Sequence, residues 1–371
     1  MTETYDFIIV GAGIAGASAG YFLSRHGRTL ILEKEDFPGY HTTGRSAAFF
    51  AETYGNSTVQ KLTRASKSFL LEPPEGFSET PLVRRRGAVY MATAEQKNFL
   101  EQSYRVKKEI SPEIEKLTDA DVQAEAPCLR RGYAVAGYSE PGCRDIDVHA
   151  LHQGYLRGIR EHGGRISCSQ AVKKIEKNGP VWQVVTSDAM FEGRVIINAA
   201  GAWGDEIARL AGIDGLDLQP CRRTVICLDT GEDEISPDMP LVLDVEDRFY
   251  FKPEGGGILL SPCDETPMPP CDVQPEELDV ARAIDRLETA TDMTVRHVRR
   301  KWSGLRTFTE DRSPVIGFDP ENEGFFWCVG QGGFGIQTSP AIGQLISDLI
   351  MKEEPDRTLP IREISPQRFR G

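Results

Sequence analysis

The hydrophobic pattern at the start of the chain predicts a strand, a helix and a second strand. Residues 5–10 form a short run, YDFIIV, whose β-branched side chains are typical of a buried strand. Apolar residues then recur at roughly helical spacing between Ile14 and His26, and Gly27 marks a stop. The apolar run Thr29–Leu32 predicts another strand. The result is a strand–turn–helix–strand unit of about thirty residues.

Hydrophobic runs further along the chain predict more elements of both types. Residues Arg194–Trp203, RVIINAAGAW, form a buried strand that ends in small residues, and Phe325–Val329 forms a strand before a glycine-rich loop. The remaining predictions are a helix from about Ser339 to Met351, a helix over Glu276–Thr291, hairpin strands within Leu241–Pro253 and Gly257–Pro262, and a helix beginning near Ser46.

The turn after the first strand has the spacing of a dinucleotide-binding loop. Gly11 permits the tight turn, Gly13 lets the backbone approach a pyrophosphate, and Gly16 lets the helix pack on the strand. The helix N-terminus offers free N–H groups to phosphates. Glu33 follows Gly11 by 22 residues, where its carboxylate can accept hydrogen bonds from a ribose. A glycine turn that only packs a helix on a sheet would not need Glu33.

The segment from Pro38 to Phe49, PGYHTTGRSAAF, leaves two interpretations open. It is rich in small and hydroxyl residues, with Thr42, Thr43, Gly44, Arg45 and Ser46 in succession. These donors could line a phosphate or a flexible chain. The segment could equally be a solvated loop that leads into the helix near Ser46.

A second glycine loop near the C-terminus favours a flavin over a nicotinamide. Gly330, Gly332, Gly333 and Gly335 precede the predicted C-terminal helix. One helix N-terminus could hold a pyrophosphate, while the other could face the negative charge of a reduced flavin. Residues 194–203 could bring backbone close to an adenine or ribose, or could be an ordinary core strand and turn.

Composition and charge exclude several classes of function. The formal net charge of −13 argues against a nucleic-acid partner, because such proteins collect positive charge. The eight cysteines form no CxxC pair and the six histidines no metal-binding pattern, so reduced thiols and no metal are expected. No run approaches the roughly 20 apolar residues that span a bilayer. A soluble, cytoplasmic protein without an integral membrane segment is therefore expected.

Five motifs and the acidic residue Glu33 together resemble the D-amino acid oxidase (DAO) family of FAD-dependent oxidoreductases. They are GAGIAG with Glu33, HTTGRSAA, INAAGAW, WSGLRTF and GQGGFGIQTSP, supported by ALHQGYLRGIR and DVQPEELD. Within the family, the chain looks most like the bacterial D-arginine dehydrogenase type of D-amino acid dehydrogenase. The resemblance covers nearly the whole chain.

The resemblance implies a mixed α/β fold with two domains and tightly bound, noncovalent FAD. A Rossmann-like FAD-binding domain would comprise residues 1–82, 145–220 and 302–371. A substrate domain, with an antiparallel sheet over the flavin, would comprise residues 83–144 and 221–301. The implied cofactor-binding residues are Gly11, Gly13, Ile14, Ala15, Gly16, Glu33, Lys34, Thr43, Gly44, Arg45, Ser46, Val172, Ala199, Ala200, Gly201, Trp203, Gly332, Gly333, Phe334, Gly335, Ile336 and Thr338.

The resemblance also implies the reaction and the residues that perform it. A hydride passes from the substrate Cα to flavin N5, and the resulting imino acid hydrolyses to a 2-oxo acid and ammonia. Arg306, Arg223 and Tyr250 match residues that clamp the substrate carboxylate, for which arginine is suited by its planar fork. Tyr54 matches a tyrosine on a mobile loop over the site, and the Gly333 carbonyl matches an acceptor for the substrate amine. Individually, Arg223 could be a surface charge and Tyr250 an ordinary strand aromatic.

Three departures from the arginine-specific type predict a neutral or apolar D-amino acid as substrate. A glutamate that pairs with the guanidinium is matched by Ala88, and two polar residues of the loop are matched by Phe49 and Ala51. Burying a cationic side chain without a partner is costly.

Other functions remain open on the same fold. They are a 2-hydroxy acid dehydrogenase, a glycine- or sarcosine-type oxidase, and a noncatalytic flavin-binding subunit. The family type suggests a quinone-type carrier as electron acceptor, with O₂ as the alternative.

Overall fold

A computed structural model describes residues 3–230 and 235–369, and over this part the chain has a mixed α/β fold. The strands are β1 (Glu3–Val10), β2 (Thr29–Leu32), β3 (Phe49–Phe50), β4 (Val83–Arg85), β5 (Ala88–Ala92), β6 (Glu115–Thr118), β7 (Ala136–Glu140), β8 (Arg144–Ile146), β9 (Arg165–Ser167), β10 (Val172–Asn178), β11 (Val181–Thr186), β12 (Met190–Asn198), β13 (Gln219–Asp229), β14 (Leu241–Asp244), β15 (Tyr250–Glu254), β16 (Gly257–Ser261), β17 (Thr266–Pro267), β18 (His297–Phe308), β19 (Val315–Phe318) and β20 (Phe325–Val329). The α-helices are α1 (Ile14–Leu23), α2 (Ser57–Leu71), α3 (Lys97–Ile110), α4 (Asp119–Glu125), α5 (Val148–Glu161), α6 (Gly204–Leu210), α7 (Glu277–Ala290), α8 (Gly335–Met351) and α9 (Ile361–Ile364).

The first sheet has a parallel centre with helices on one face. Strands β9, β2, β1, β12 and β20 are parallel neighbours, and β19, β11 and β10 add antiparallel pairs at the two sides. Helices α1, α5 and α8 pack together against one face, where Ile9, Ile31 and Ile197 are fully buried. Because parallel strands end at one edge of a sheet, Gly11, Glu33 and the residues after β12 and β20 meet there.

Most local predictions for this sheet are confirmed. Strands β2 and β20 coincide with the predicted runs, and β1 begins at Glu3, before the predicted start. Helix α1 ends at Leu23 rather than His26. Helix α8 begins at Gly335, four residues before the predicted Ser339, so the last residues of the glycine loop are already helical.

The predicted helix near Ser46 is wrong. Residues 39–45 form turns in which the Gly44 N–H donates to the Gly39 carbonyl at 2.8 Å, and β3 follows. The next helix, α2, begins only at Ser57, where the side chain of Asn56 accepts a hydrogen bond from the Val59 N–H at 3.0 Å. A capping residue that binds the free N–H groups of the first turn therefore decides where this helix starts.

The second sheet has nine strands and is antiparallel except for one pair. Its order is β17-β13-β16-β15-β14-β5-β7-β6, with β18 also paired to β13, and β14 runs parallel to β5. The segment Leu241–Pro253 supplies two strands, β14 and β15, with a turn between them, and β16 continues the hairpin. A small third sheet consists of β3, β8 and β4.

The predicted domain boundaries at 220/221 and 301/302 fall inside β13 and β18. These strands pair over most of their length, with Cys221 opposite Arg306 and Arg223 opposite Gly304. Residues two apart on a strand share a face, so Arg223 and Arg306 project from the same side as diagonal neighbours. The predicted segments also include residues 1, 2, 231–234, 370 and 371, which lie outside the described part of the chain.

Candidate active site

A cavity of about 900 Å³ extends from the edge of the first sheet to the inner face of the second. All five predicted catalytic residues line it: Tyr54, Arg223, Tyr250, Arg306 and Gly333. The predicted cofactor-binding residues that line it are Gly11, Gly13, Ile14, Ala15, Glu33, Lys34, Thr43, Arg45, Ser46, Val172, Ala199, Ala200, Gly201, Trp203, Gly332, Gly333, Phe334, Gly335 and Ile336. The structure thus brings together residues from both ends of the chain.

Three predicted cofactor-binding residues do not line the cavity, and each has a packing role instead. A Cβ at Gly16 would lie 1.9 Å from the Gly11 carbonyl oxygen, so this glycine lets α1 approach β1. Gly44 closes the turn with Gly39. The hydroxyl of Thr338 is buried and donates to the Phe334 carbonyl at 2.9 Å within α8.

The turn after β1 has the backbone geometry that close approach to a ligand requires. Gly11 has φ +105°, and a Cβ there would lie 2.5 Å from the Ala199 carbonyl oxygen. Gly13 caps α1 without a side chain, and the first turn of the helix contains no acidic residue. Thr43 occupies one N–H, since its hydroxyl accepts a hydrogen bond from Ile14 at 2.9 Å. The helix N-terminus is therefore suited to an anionic ligand.

Glu33 is held at the end of β2 by two backbone donors. Its carboxylate accepts hydrogen bonds from the N–H of Ala12 at 2.8 Å and of Glu35 at 3.0 Å, and the residue is buried. His152 lies beneath the same turn, where its Nε2 donates to the Ala12 carbonyl at 2.9 Å. Burial lowers the pKa of His152, so the ring is neutral at neutral pH. His152 lies in ALHQGYLRGIR, a stretch that supports the family resemblance, but no site role was predicted for it.

Two cations at the predicted cofactor end already have protein partners. The Nζ of Lys34 lies 3.2 Å from the ring centroid of Trp203. The Arg45 guanidinium binds Asp272 and donates to the Ser303 carbonyl at 3.1 Å. Arg45 therefore ties residues 39–46 to the second sheet while it lines the cavity.

The second glycine loop lies against the arginine on β18. Gly332 has φ +53°, and a Cβ there would lie 2.4 Å from the Phe308 ring. A Cβ at Gly333 would lie 2.8 Å from the Arg306 Cζ. Helix α8 begins immediately afterwards, with no acidic residue in its first turn. Both helix N-termini therefore face one cavity.

Arg306 faces the cavity without a carboxylate partner. Its Nη1 donates to the Tyr54 hydroxyl at 3.1 Å, and it forms no ion pair within residues 3–230 and 235–369. Tyr250, on β15, lines the same cavity and is buried, which raises the pKa of its phenol and keeps it a donor at neutral pH. A guanidinium and two phenols thus converge where an anion can bind.

The adjacent arginines Arg222 and Arg223 have different environments. Arg222 is buried on the opposite face of β13, where it pairs with Asp264, Glu276 and Asp279 at 2.8–3.3 Å. Arg223 faces the cavity and lies 3.5 Å from Glu265, and its buried Nε has no hydrogen-bond partner among the described residues. Of these two adjacent arginines, only Arg223 is placed to contact a ligand in the cavity.

An ion pair on the cavity wall joins the site to the loop after β18. Glu265 binds Arg312 through two contacts of 2.7 and 3.0 Å. Burial alone would raise the pKa of Glu265, but the Arg312 hydrogen bonds and charge lower it overall. Glu265 is consequently shared between Arg312 and Arg223, and sequence patterns gave no indication of this.

The loop that carries Tyr54 is anchored at several points. The side chain of Gln337, on α8, accepts a hydrogen bond from the Ala51 N–H at 3.1 Å and donates to the Thr63 hydroxyl at 2.9 Å. The amide of Gln60 donates to the Gly55 carbonyl at 2.8 Å. These bonds fix Tyr54 beside Arg306.

The rest of the cavity wall agrees only in part with the residues predicted to form the substrate pocket. Phe49 and Ala51 line the cavity, but Ala88 does not, because it is covered within the core around β5. Lys107 and Asp247 also line the cavity, and neither was predicted, since one lies in an amphipathic helix and the other in an ordinary turn. The apolar pocket expected from the sequence therefore contains a carboxylate.

Three further features bear on the sequence predictions. The eight cysteines are all free. Within residues 3–230 and 235–369, no group of three or more His, Cys, Asp or Glu side chains could hold a metal ion. Across the same residues no helix combines the length and the apolar character needed to cross a membrane.

Comparison with known proteins places most of the chain in one family. The family model described as DAO, FAD dependent oxidoreductase, matches residues 6–349. Glycine oxidase of Bacillus licheniformis is 25% identical over 364 residues, which cover 95% of this chain and 94% of that protein. Mitochondrial dimethylglycine dehydrogenase of Mus musculus is 22% identical over 397 residues, which cover 98% of this chain but 44% of that protein. The chain thus spans less than half the length of that dehydrogenase.

A solved structure shares the fold. The crystal structure of glycine oxidase from Geobacillus kaustophilus superposes with a TM-score of 0.85 at 23% identity, over 98% of each chain. These similarities confirm the family that the sequence suggested. They do not single out the D-arginine or D-amino acid dehydrogenase type within it.

Proposed function

Because the chain belongs to the DAO family of FAD-dependent oxidoreductases, we propose that it oxidises the Cα–N bond of a small amino acid of the glycine or N-methylglycine class. Glycine oxidase and dimethylglycine dehydrogenase, two relatives of the chain, carry such substrates in their names. From the sequence, this substrate class was the alternative to a D-amino acid. The similarity to these two relatives supports it better than oxidation of D-amino acids.

The residues of the cavity fit FAD. The turn at Gly11 and Gly13 would hold the pyrophosphate, Glu33 would accept hydrogen bonds from the adenosine ribose, and the start of α8 would face the flavin ring. Bound FAD supplies the chemistry by accepting the two electrons and the hydrogen removed from Cα.

The observation that carries the proposal is the charge of Arg306. Arg306 lines the cavity in contact with Tyr54, Tyr250 lines the same cavity, and Arg306 has no carboxylate partner among the described residues. A substrate carboxylate would supply the missing counterion and accept hydrogen bonds from all three side chains. Such a clamp fixes the orientation of Cα, and orientation is a large part of what an enzyme contributes to a transfer reaction.

The substrate amine would then lie near the Gly333 carbonyl. Gly333 sits against the Arg306 guanidinium, where a side chain would clash, so the backbone and the carboxylate site are close neighbours. A carbonyl oxygen can accept a hydrogen bond from an amine, so the substrate nitrogen would lie next to the carboxylate clamp.

A neutral or apolar D-amino acid is the second candidate. Phe49, Ala51 and Tyr90 form part of the wall, so a modest apolar side chain on Cα has contacts available. These contacts do not by themselves select an enantiomer.

We propose that FAD is held without a covalent bond. Two cysteines, Cys143 and Cys263, line the cavity. Burial raises the pKa of both thiols, that of Cys263 to about 12. Because the thiolate is the nucleophile, neither is activated to attack the flavin. Acid precipitation of the holoprotein should leave the yellow colour in solution.

The function is tested by anaerobic mixing of the holoprotein with candidate substrates while flavin absorbance is followed. Glycine, sarcosine and N,N-dimethylglycine should bleach the flavin, and D-alanine, L-alanine and both lactate enantiomers serve as comparisons. Arg306→Lys should raise the substrate concentration for half-maximal bleaching by about tenfold or more, because a bidentate contact is lost. The control Arg131→Lys changes an exposed arginine in the same way. Bleaching by lactate alone would reject the proposal.

A further inference from the structure

Asp247 presents a carboxylate to the cavity for which the protein itself offers no partner. It lies in the turn between β14 and β15 and lines the same cavity as Arg306. Within the described ranges, 3–230 and 235–369, its side chain takes part in no hydrogen bond or ion pair. Acidic residues in hairpin turns usually bind nearby backbone N–H groups, as Asp244 does here.

The turn is built so that Asp247 keeps one position. Its backbone has φ +55°, in the left-handed region that few residues other than glycine, asparagine and aspartate adopt. Asp244 accepts hydrogen bonds from the N–H of Glu246 at 3.0 Å and of Arg248 at 3.4 Å, and Gln96 donates to Asp244 at 3.0 and 3.1 Å. One carboxylate thus stabilises the turn, which leaves the other directed into the cavity.

Three cations that line the same cavity act electrostatically on Asp247 without an ion pair or hydrogen bond to it. They are Lys107, Arg223 and Arg306. Desolvation by the surrounding protein raises the pKa of Asp247, and these cations oppose the rise. The residue is nevertheless exposed where it lines the open cavity, which favours the ionised carboxylate at neutral pH. An ionised carboxylate in this position attracts a positive group in the ligand.

Two of these cations are engaged elsewhere. The Nζ of Lys107 lies 3.7 Å from the ring centroid of Tyr90 and 3.9 Å from Glu140. Arg223 lies beside Glu265. Of these four groups, Arg306 and Asp247 are left without a direct partner of opposite charge among the described residues.

A ligand that carries both a carboxylate and a cationic nitrogen would compensate both charges. A 2-hydroxy acid would satisfy Arg306 alone. A dicarboxylic acid would bring a second negative charge towards Asp247, and like charges at close range in a partly desolvated cavity repel strongly. The cavity therefore distinguishes three classes of ligand that share the same carboxylate.

We propose that Asp247 is a specificity-determining residue that binds a cationic nitrogen of the substrate and so selects amino acids over 2-hydroxy acids and dicarboxylic acids. The inference rests on the proposed function, in which Arg306 holds the substrate carboxylate. The nitrogen is either the α-ammonium group, whose three N–H donors can serve both the Gly333 carbonyl and Asp247, or an ammonium group at the end of a side chain.

Two matched pairs of ligands separate these sources. Alanine and lactate differ at the α-substituent, and lysine and norleucine differ at the end of the side chain; both enantiomers of each are used. Dissociation constants are measured anaerobically on the holoprotein from the change in flavin absorbance or its bleaching. Asp247→Asn removes the charge and suits a left-handed residue, so the turn should be preserved. Asp238→Asn, at an exposed position, is the control.

In Asp247→Asn the affinity for the nitrogen-bearing member of one pair should fall about tenfold or more, because a charge-assisted contact is lost. The affinity for the other member should stay unchanged. A change in the alanine–lactate pair assigns the α-ammonium group, and a change in the lysine–norleucine pair assigns the side-chain group. If the variant does not retain FAD, Asp247→Gly is measured instead, since glycine also adopts this conformation.

Different experimental results reject the role of Asp247 and the proposed function. Suppose that amino acids perturb or reduce the wild-type flavin. If Asp247→Asn then binds all the ligands as the wild type does, or weakens the two members of each pair by the same factor, the inference alone is rejected. If no carboxylate-bearing amine affects the wild-type flavin, the proposed function is rejected, and the inference with it.

Discussion

The Nη1 of Arg306 donates a hydrogen bond to the Tyr54 hydroxyl at 3.1 Å, and this contact joins β18 to the loop before α2. The two residues lie at distant points of the sequence. Their contact places a charged donor and a phenol at the same point of the cavity wall, where the substrate carboxylate is proposed to bind.

We expect Tyr54→Phe to weaken substrate binding with little effect on the rate at which the bound substrate is turned over. Loss of a hydrogen bond that involves a charged group should raise KM about tenfold and leave kcat within about threefold. Steady-state kinetics with the best substrate of the bleaching panel measures both. Tyr104→Phe is the control, because Tyr104 does not line the cavity and its hydroxyl makes no hydrogen bond among the described residues. An unchanged KM in Tyr54→Phe would contradict the assignment of the clamp.

Gly11→Ala should destabilise the protein more than an equivalent change at an open turn. The new Cβ would lie 2.5 Å from the Ala199 carbonyl oxygen, and the backbone has φ +105°. We expect the free energy of unfolding to fall by at least about 2 kcal/mol and FAD affinity to decrease. Gly212→Ala has φ +71° but no atom within 4 Å of the new Cβ, so it measures the backbone strain alone, about 1 kcal/mol.

Equal losses of stability in these two variants would show that the close approach of Gly11 and Ala199 is unimportant. Denaturant unfolding gives the free energies. Titration of the apoprotein with FAD, followed by quenching of flavin fluorescence, gives the affinities.

Stability should fall at mildly acidic pH because of His152. Burial lowers its pKa in the folded protein below the model value of 6.5. Below that value the unfolded chain binds more protons than the folded one, so stability is lost as the pH falls from 6.5 towards the folded pKa. His152→Gln keeps a donor for the Ala12 carbonyl and removes the titration.

The measurement is the free energy of unfolding at several values between about pH 7 and pH 5.5, with saturating FAD. The wild type should lose stability more steeply than His152→Gln over this range. His149→Gln, at an exposed histidine, should behave as the wild type. Parallel curves for the wild type and His152→Gln would show that His152 does not couple to folding.

The family and the first sheet were predictable because their signals are local. The glycines after β1, the acidic residue after β2 and the apolar run of β20 each occupy a few consecutive residues. The helix predicted near Ser46 was wrong. The next helix begins at Ser57, after the Asn56 cap, and the run of small residues that follows Ser46 does not indicate this later start. The sequence resemblance favoured the D-arginine dehydrogenase type, whereas the relatives of the chain include glycine oxidase and dimethylglycine dehydrogenase.

The sequence alone determined that two glycine loops precede helices, since this pattern follows from neighbouring residues, and the family resemblance singled out Arg223 and Arg306. Only the tertiary structure decided that Arg223 faces the cavity while Arg222 is paired with three carboxylates, because the side of a strand that a residue occupies depends on register. The structure likewise decided that Asp247 lines the cavity. Its position results from pairing between β14, β15 and β5 across distant segments, and no local pattern records such long-range contacts.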